Sequence, residues 1–167
     1  MAPKIRRADF IWRVMGFFNR NIANRNFRLG IMPDFILMLT TTGRKSGQPR
    51  RTLLQYESFE GGFGVASVRG ASADWYRNIL ADPNVTIQFK KQPPQEALAE
   101  VVSDPARMAD FILHRQSVHP RMISRMLSAE GLKPPYTRDK VKAFSAGKAM
   151  VILRPKAVGD TDPIQTV

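Results

Sequence analysis

The sequence contains no cysteine among its 167 residues. This absence excludes disulfide bonds, a thiolate nucleophile and a thiolate metal site. The chain also lacks a run of about 18 apolar residues, which a membrane-spanning helix requires, and it opens without the pattern of a secretory signal peptide. These absences favour a cytoplasmic protein.

Residues that usually build an independent catalytic site are also scarce. The two histidines, His114 and His119, are five positions apart and have no acidic ligand beside them, whereas a helical metal pair needs a spacing of four. There is no G-x-S-x-G nucleophile motif, no Walker motif for phosphate and no pair of carboxylates placed as acid and base. If the protein is an enzyme, a bound cofactor must carry the difficult chemistry.

Acidic residues are few compared with basic ones. The chain has 26 lysines and arginines against 14 aspartates and glutamates, which gives a net charge of +12 and a pI of about 10.7. Such a balance indicates an anionic partner: nucleic acid, an anionic membrane surface or a polyanionic small molecule. The positive charge is concentrated in residues 1–30 and in a turn at residues 44–51.

The first of these basic segments, residues 4–28, has the pattern of an amphipathic helix. Its apolar residues recur at the spacings that share one helical face, and they are Ile11, Val14, Met15, Phe18 and Ile22. Arg6, Arg13 and Arg20 fall opposite that face. A basic amphipathic helix can lie on a membrane surface, which would place the protein at the inner membrane face, or it can pack on its own domain with its arginines in water.

The chain reads as one domain over residues 1–155, which includes the N-terminal helix. We expect the tail at 156–167 to be disordered. About six short strands are predicted, at 35–42, 51–56, 63–68, 84–90, 95–102 and 148–155. Helices are predicted within 71–83, over 105–118 and over 121–129. Hairpin-connected strands with helices between them predict an α+β fold, a small antiparallel barrel with peripheral helices.

The second basic segment is the turn TTTGRKSGQPRR, residues 40–51. Gly43 and Gly47 allow a tight turn whose backbone N–H groups can face an anion. The side chains able to bind that anion are Arg44, Lys45, Ser46 and Arg50. The residues alone leave two interpretations open, an anion-binding loop and a merely solvated basic turn.

Three motifs in order resemble a known family. TTTGRKSGQPR, then VAS, then DWYRNILADPNVTIQF are similar to the deazaflavin-dependent nitroreductase family, whose members use coenzyme F420 (8-hydroxy-5-deazaflavin). The resemblance covers residues 35–92. It implies a split β-barrel of the flavin-reductase type and transfer of a hydride from the reduced cofactor to a quinone or a nitroaromatic acceptor.

The resemblance also implies roles for particular residues. The cofactor's phosphodiester and oligoglutamate tail would bind to the basic turn, and its ring would lie along the end of a strand and against a short helix. The implied cofactor-binding residues are Arg44, Lys45, Ser46, Arg50, Ala66, Ser67, Val68, Trp75, Tyr76 and Asn78. The tyrosine-rich segment of the family before the last strand is replaced here by VKAFSAGKAMVIL. Tyr136 and Phe144 are therefore the aromatic candidates for an acceptor site.

Two other functions are compatible with the sequence. A protein of the same fold could bind flavin mononucleotide (FMN), or bind a ligand without catalysis. A basic module for nucleic acid or membranes is the third hypothesis. Nucleic acid is the less favoured partner, because the cations lie on one helix and in one turn rather than along a strand with exposed aromatic residues.

Overall fold

The structure is a computed structural model, and it describes Phe27, Gly30, residues 32–67 and residues 70–156. The predicted N-terminal helix at 4–28, apart from Phe27, lies outside the described residues, as does the predicted tail beyond Lys156. Among the described residues, no helix is long and apolar enough to cross a membrane.

The described part of the chain is an α+β fold built on one antiparallel sheet. The strands are β1 (Ile36–Thr42), β2 (Pro49–Gln55), β3 (Glu57–Phe59), β4 (Gly62–Ser67), β5 (Asn84–Gln88), β6 (Gln95–Val102) and β7 (Ala149–Pro155). The α-helices are α1 (Asp74–Ala81), α2 (Pro105–Val118), α3 (Pro120–Ala129) and α4 (Arg138–Ser145), and a short 3₁₀ helix spans Gly70–Ser72. The strand order is β2-β1-β5-β6-β7-β4-β3, and the sheet curls into a half-barrel.

The structure has seven strands where about six were predicted, and the additional strand, β3, begins where the chain changes partners after Tyr56. Gln55 is the last residue paired with β1, where it lies opposite Ile36. The Tyr56 N–H donates to the carbonyl of Phe35 at 3.0 Å, and Glu57 then pairs with Gly64 of β4. The predicted strand at 51–56 therefore corresponds to β2, and β3 lies outside every predicted strand.

The sheet separates two buried clusters, and β7 contributes to both. The inner cluster contains Ala149, Val151 and Leu153 of β7 together with side chains of β1, β4, β5, β6 and α1. Met150 and Ile152 point to the other face, where they join the cluster under α2, α3 and α4. This alternation follows from the two-residue period of a strand.

The helix α2 confirms the predicted range 105–118. Asp104 caps it by accepting a hydrogen bond from the Ala106 N–H at 2.8 Å, and Pro105 occupies the first turn, where its missing N–H costs nothing. The helix α4 was not predicted. Thr137 caps it by accepting from the Lys140 N–H at 3.4 Å, and this cap is the signal that the sequence analysis missed.

Candidate functional site

The basic turn between β1 and β2 closes through its own backbone. The Gly43 N–H donates to the Gln48 carbonyl at 2.9 Å, and the Gly47 N–H donates to the Gly43 carbonyl at 2.7 Å. Gly47 has φ of +63°, a conformation that glycine adopts without steric cost. A Cβ on Gly43 would lie 2.8 Å from Ser46 Oγ. Both glycines are therefore required by the shape of the turn.

Arg44 does not point freely into solvent, because helix α1 holds it. Its backbone N–H and its Nη1 both donate to Asn78 Oδ1, at 3.2 and 3.0 Å. Its Nη2 lies 3.0 Å from Asp74 Oδ1. Asn78 in turn donates from Nδ2 to Thr41 Oγ1 at 3.0 Å. This set of contacts ties the turn to the first two turns of α1 and to the end of β1.

The structure leaves Lys45, Ser46 and Arg50 at the exposed surface of the turn. Arg50 Nη2 donates to Ser46 Oγ at 3.2 Å. Among the described residues, neither Lys45 nor Arg50 forms an ion pair with a carboxylate. Two uncompensated cations and a hydroxyl at one glycine turn can bind an anion such as a phosphate or carboxylate.

The register of β1 and β2 places Arg50 and Arg51 on opposite faces of the sheet. Arg50 lies opposite Thr41, and Arg51 lies opposite Thr40. Directly opposed residues share a face and successive residues alternate. Arg50 therefore belongs to the face that bears Thr41 and Asn78, whereas Arg51 belongs to the other face.

A polar groove of about 330 Å³ lies beside the turn and is lined largely by residues of that other face. Its lining residues come from β1, β2, β5 and β6, from the turn and from the segment after β7, and they include Thr40, Thr41, Gly47, Glu96 and Lys156. Lys156 Nζ is already bonded to Asn84 Oδ1 at 3.1 Å. The groove therefore adjoins the turn at Gly47, although neither Lys45 nor Arg50 lines it.

The two aromatic residues predicted at the short helix are buried. Trp75 and Tyr76 are 8% and 9% exposed and belong to the inner cluster. Their rings meet edge to face with centroids 5.9 Å apart. This burial is what a core role requires, and the role of either residue as a wall of a cofactor site stays a prediction.

The strand end predicted to run along the cofactor ring presents different faces at successive residues. Ala66 packs against the helix-side cluster. Ser67 lies opposite Ala149, a member of the inner cluster. Val68 lies outside the described residues.

Tyr136 and Phe144, the candidates for an acceptor site, both lie on the helix side of the sheet. The Tyr136 hydroxyl donates to the Ser124 carbonyl at 3.5 Å. Lys148 Nζ lies 4.1 Å from the centre of the Phe144 ring and pairs with Glu130. The structure therefore does not bring these residues to the face that bears Trp75 and Tyr76.

Sequence reasoning missed the partners that fix the turn. Thr41 is 37 positions from Asn78, and Asp74 is 30 positions from Arg44. No local pattern marks such pairs. Only the pairing of β1 with its neighbours and the packing of α1 bring them together.

Comparison with known proteins identifies a family and relates the fold to solved structures. The family model for F420H(2)-dependent quinone reductase matches residues 14–125, about two thirds of the chain. HutZ, the heme storage protein from Vibrio cholerae, is 16% identical, with a TM-score of 0.52 over 83% of this chain and 92% of that one. A conserved hypothetical protein from Mycobacterium tuberculosis is 16% identical, with a TM-score of 0.53 over 82% of this chain and 81% of that one. These two likenesses indicate a shared fold.

Proposed function

Since the chain belongs to the F420H(2)-dependent quinone reductase family, we propose that it binds reduced coenzyme F420 and transfers a hydride from it to an acceptor of the quinone or nitroaromatic type. When bound, the cofactor supplies the hydride chemistry, and the protein supplies binding, orientation and exclusion of water.

The observation that carries the proposal is the pair of uncompensated cations on the basic turn. The family resemblance implies a cofactor with an anionic phosphodiester and carboxylate tail. Lys45 and Arg50 offer positive charge to such a tail, and both lack a carboxylate partner among the described residues. The residues present therefore fit the group.

The contacts of the turn divide the predicted ligands into two kinds. Lys45, Ser46 and Arg50 are free to contact the anionic tail. Arg44 already makes hydrogen bonds to Asn78 and an ion pair with Asp74. We therefore assign Arg44 and Asn78 the role of positioning residues, which hold the turn in place. Ala66 and Ser67 keep their predicted role beside the cofactor ring.

A titration of the purified protein with oxidised F420, and in parallel with FMN, tests the proposal. Lys45→Ala and Arg50→Ala should each weaken F420 binding by about tenfold or more, because a hydrogen bond to a charged group contributes about 1.5–3 kcal/mol. Arg51→Ala is the matched control. This variant removes the same charge from the next residue but from the opposite face. Its affinity for F420 should stay within about twofold of the wild type, because it loses only screened long-range attraction.

Each other outcome refutes a defined part of the proposal. Tighter binding of FMN would assign the site to a flavin. An equal loss in all three variants would mean that only the net charge attracts the ligand. Binding of neither cofactor would refute the proposed function.

A further inference from the structure

A second polar cluster lies beneath the junction of β2 and β3, away from the basic turn. It consists of Gln55, Glu57, Arg115 and His119, which we call the Glu57 cluster. His119 Nε2 lies 3.0 Å from Glu57 Oε2. Arg115 Nη2 donates to Gln55 Oε1 at 2.8 Å. The cluster joins the edge of the sheet to the junction of α2 and α3.

The Glu57 cluster is unusual because it buries charge that is only partly satisfied. Arg115 is 8% exposed, and its Nε has no hydrogen-bond partner among the described residues. Glu57 Oε2 is likewise buried and has no hydrogen-bond partner among the described residues, although His119 Nε2 lies only 3.0 Å from it. Buried charged groups are costly, and an apolar set of similar volume is often at least as stable. Stability alone therefore does not account for the cluster.

Within the cluster, exposure falls from His119 to Glu57, which pairs with β4. One third of the His119 side chain is accessible, whereas Glu57 is 17% exposed. Glu57 lies opposite Gly64, and Ala66, two residues further along β4, packs on the same helix side as a side chain on Gly64 would. Glu57 is then about 10 Å along the strand from Ser67, at roughly 3.3 Å per residue.

We propose that Glu57 and His119 are a proton-transfer pair that supplies the proton taken up by the acceptor, with Arg115 and Gln55 as positioning residues. This inference rests on the proposed function. Addition of a hydride reduces a quinone by two electrons to the hydroquinone monoanion, while the cofactor is oxidised. One proton then completes the hydroquinone. That proton leaves the pair, passing from His119 Nε2 through Glu57, and solvent returns a proton to the exposed imidazole.

The charged and titratable groups around Glu57 come from three parts of the fold. Arg115 faces it from α2, and His119 faces it from the junction of α2 and α3. Tyr56 precedes it, and burial raises the pKa of this phenol, with further contributions from the negative charges of Asp34 and Glu57. The Glu57 charge also opposes the lowering that burial imposes on the pKa of Arg115.

The test compares Glu57→Gln and His119→Gln with the matched control His114→Gln. His114 is the only other histidine in the chain; it lies on the same helix α2 and contacts Phe59, with ring centroids 6.0 Å apart. Glu57→Gln and His119→Gln should each lower kcat by about 100-fold, at the lower end for general acid catalysis, and should change the pH profile of kcat. The affinity for F420 should stay within twofold in both, and the control should match the wild type.

A second readout needs no cofactor. In the free protein, the Nε2 resonance of His119 should shift in Glu57→Gln and stay in place in the folded control His114→Gln. Wild-type kcat and pH profile in Glu57→Gln or in His119→Gln would overturn the inference while leaving the proposed function intact. A wild-type protein that binds no F420 would refute both.

Discussion

Removal of the Asn78 side chain should destabilise the protein more than removal of the ion pair beside it. Asn78 is 3% exposed and bridges Arg44 on the turn to Thr41 at the end of β1. In Asn78→Ala, Arg44 can turn to water because its side chain is 24% exposed. Thr41 is only 2% exposed, so its hydroxyl cannot reach water. An orphaned buried polar group costs about 1–3 kcal/mol, so the loss should be about 2 kcal/mol.

Asp74→Ala is the comparison for Asn78→Ala, because Asp74 also contacts Arg44. The Asp74 side chain is 79% exposed, and exposed ion pairs contribute less than about 1 kcal/mol. Asp74→Ala should therefore cost well under half of what Asn78→Ala costs. In a chain of this size, 2 kcal/mol corresponds to a fall in Tm of about 4–8 °C. Thermal and urea unfolding, followed by tryptophan fluorescence, measure both variants.

A double variant separates the orphaned hydroxyl from the lost volume. Thr41→Val combined with Asn78→Leu removes both polar partners, and such replacements are close to neutral when the shape is kept. The double variant should therefore be more stable than Asn78→Ala alone. Equal destabilisation by Asp74→Ala and Asn78→Ala would refute the reasoning, because the exposed pair would then hold the turn.

Two further predictions concern the sheet. Gly64→Ala should destabilise by about 1–3 kcal/mol, the cost of overpacking a core, because the new Cβ would lie 2.3 Å from Cε2 of the buried Phe111 ring; addition of Phe111→Leu should recover part of the loss, and a wild-type Tm in Gly64→Ala would contradict the packing. Hydrogen bonds from Arg154 and then Arg107 lower the pKa of Glu100 below its usual 4.5, so Glu100 stabilises the fold above that pH and loses the effect as the pH falls through its lower folded value. Glu100→Gln should therefore cost at most about 1 kcal/mol at neutral pH, since the pair is partly exposed, and should unfold like the wild type in strong acid; an unchanged gap in acid would disprove the assignment.

The sequence predicts those parts of the fold that local signals determine. The strand β6 and helix α2 were predicted with their observed bounds, because turn residues frame the strand and a cap with a following proline starts the helix. The strand β3 was not predicted, because its three residues form a strand only by pairing with β4, where Glu57 lies opposite Gly64. No residue at that point marks a change of partner.

The cations of the candidate site can be read from the composition of the turn, whereas their contacts cannot. The cations of the turn are evident in the sequence, but the sequence does not indicate that Arg44 meets Asp74 and Asn78. The Glu57 cluster was missed for the same reason, since Gln55 and Arg115 are 60 positions apart. Long-range contacts decide which charges are paired, and therefore which remain available to a ligand.

The strand β4 connects the proposed cofactor site with the Glu57 cluster. Ala66 faces the helices, whereas Ser67 is aligned with the inner cluster. A ring that lies along this strand end can therefore meet side chains from both faces of the sheet. Tyr136 and Phe144 are on the helix side and already engaged with Ser124 and Lys148. On that side, the Glu57 cluster offers buried charge that the fold has not fully paired, so an acceptor is better sought beside Ala66 and this cluster than beside the two aromatic rings.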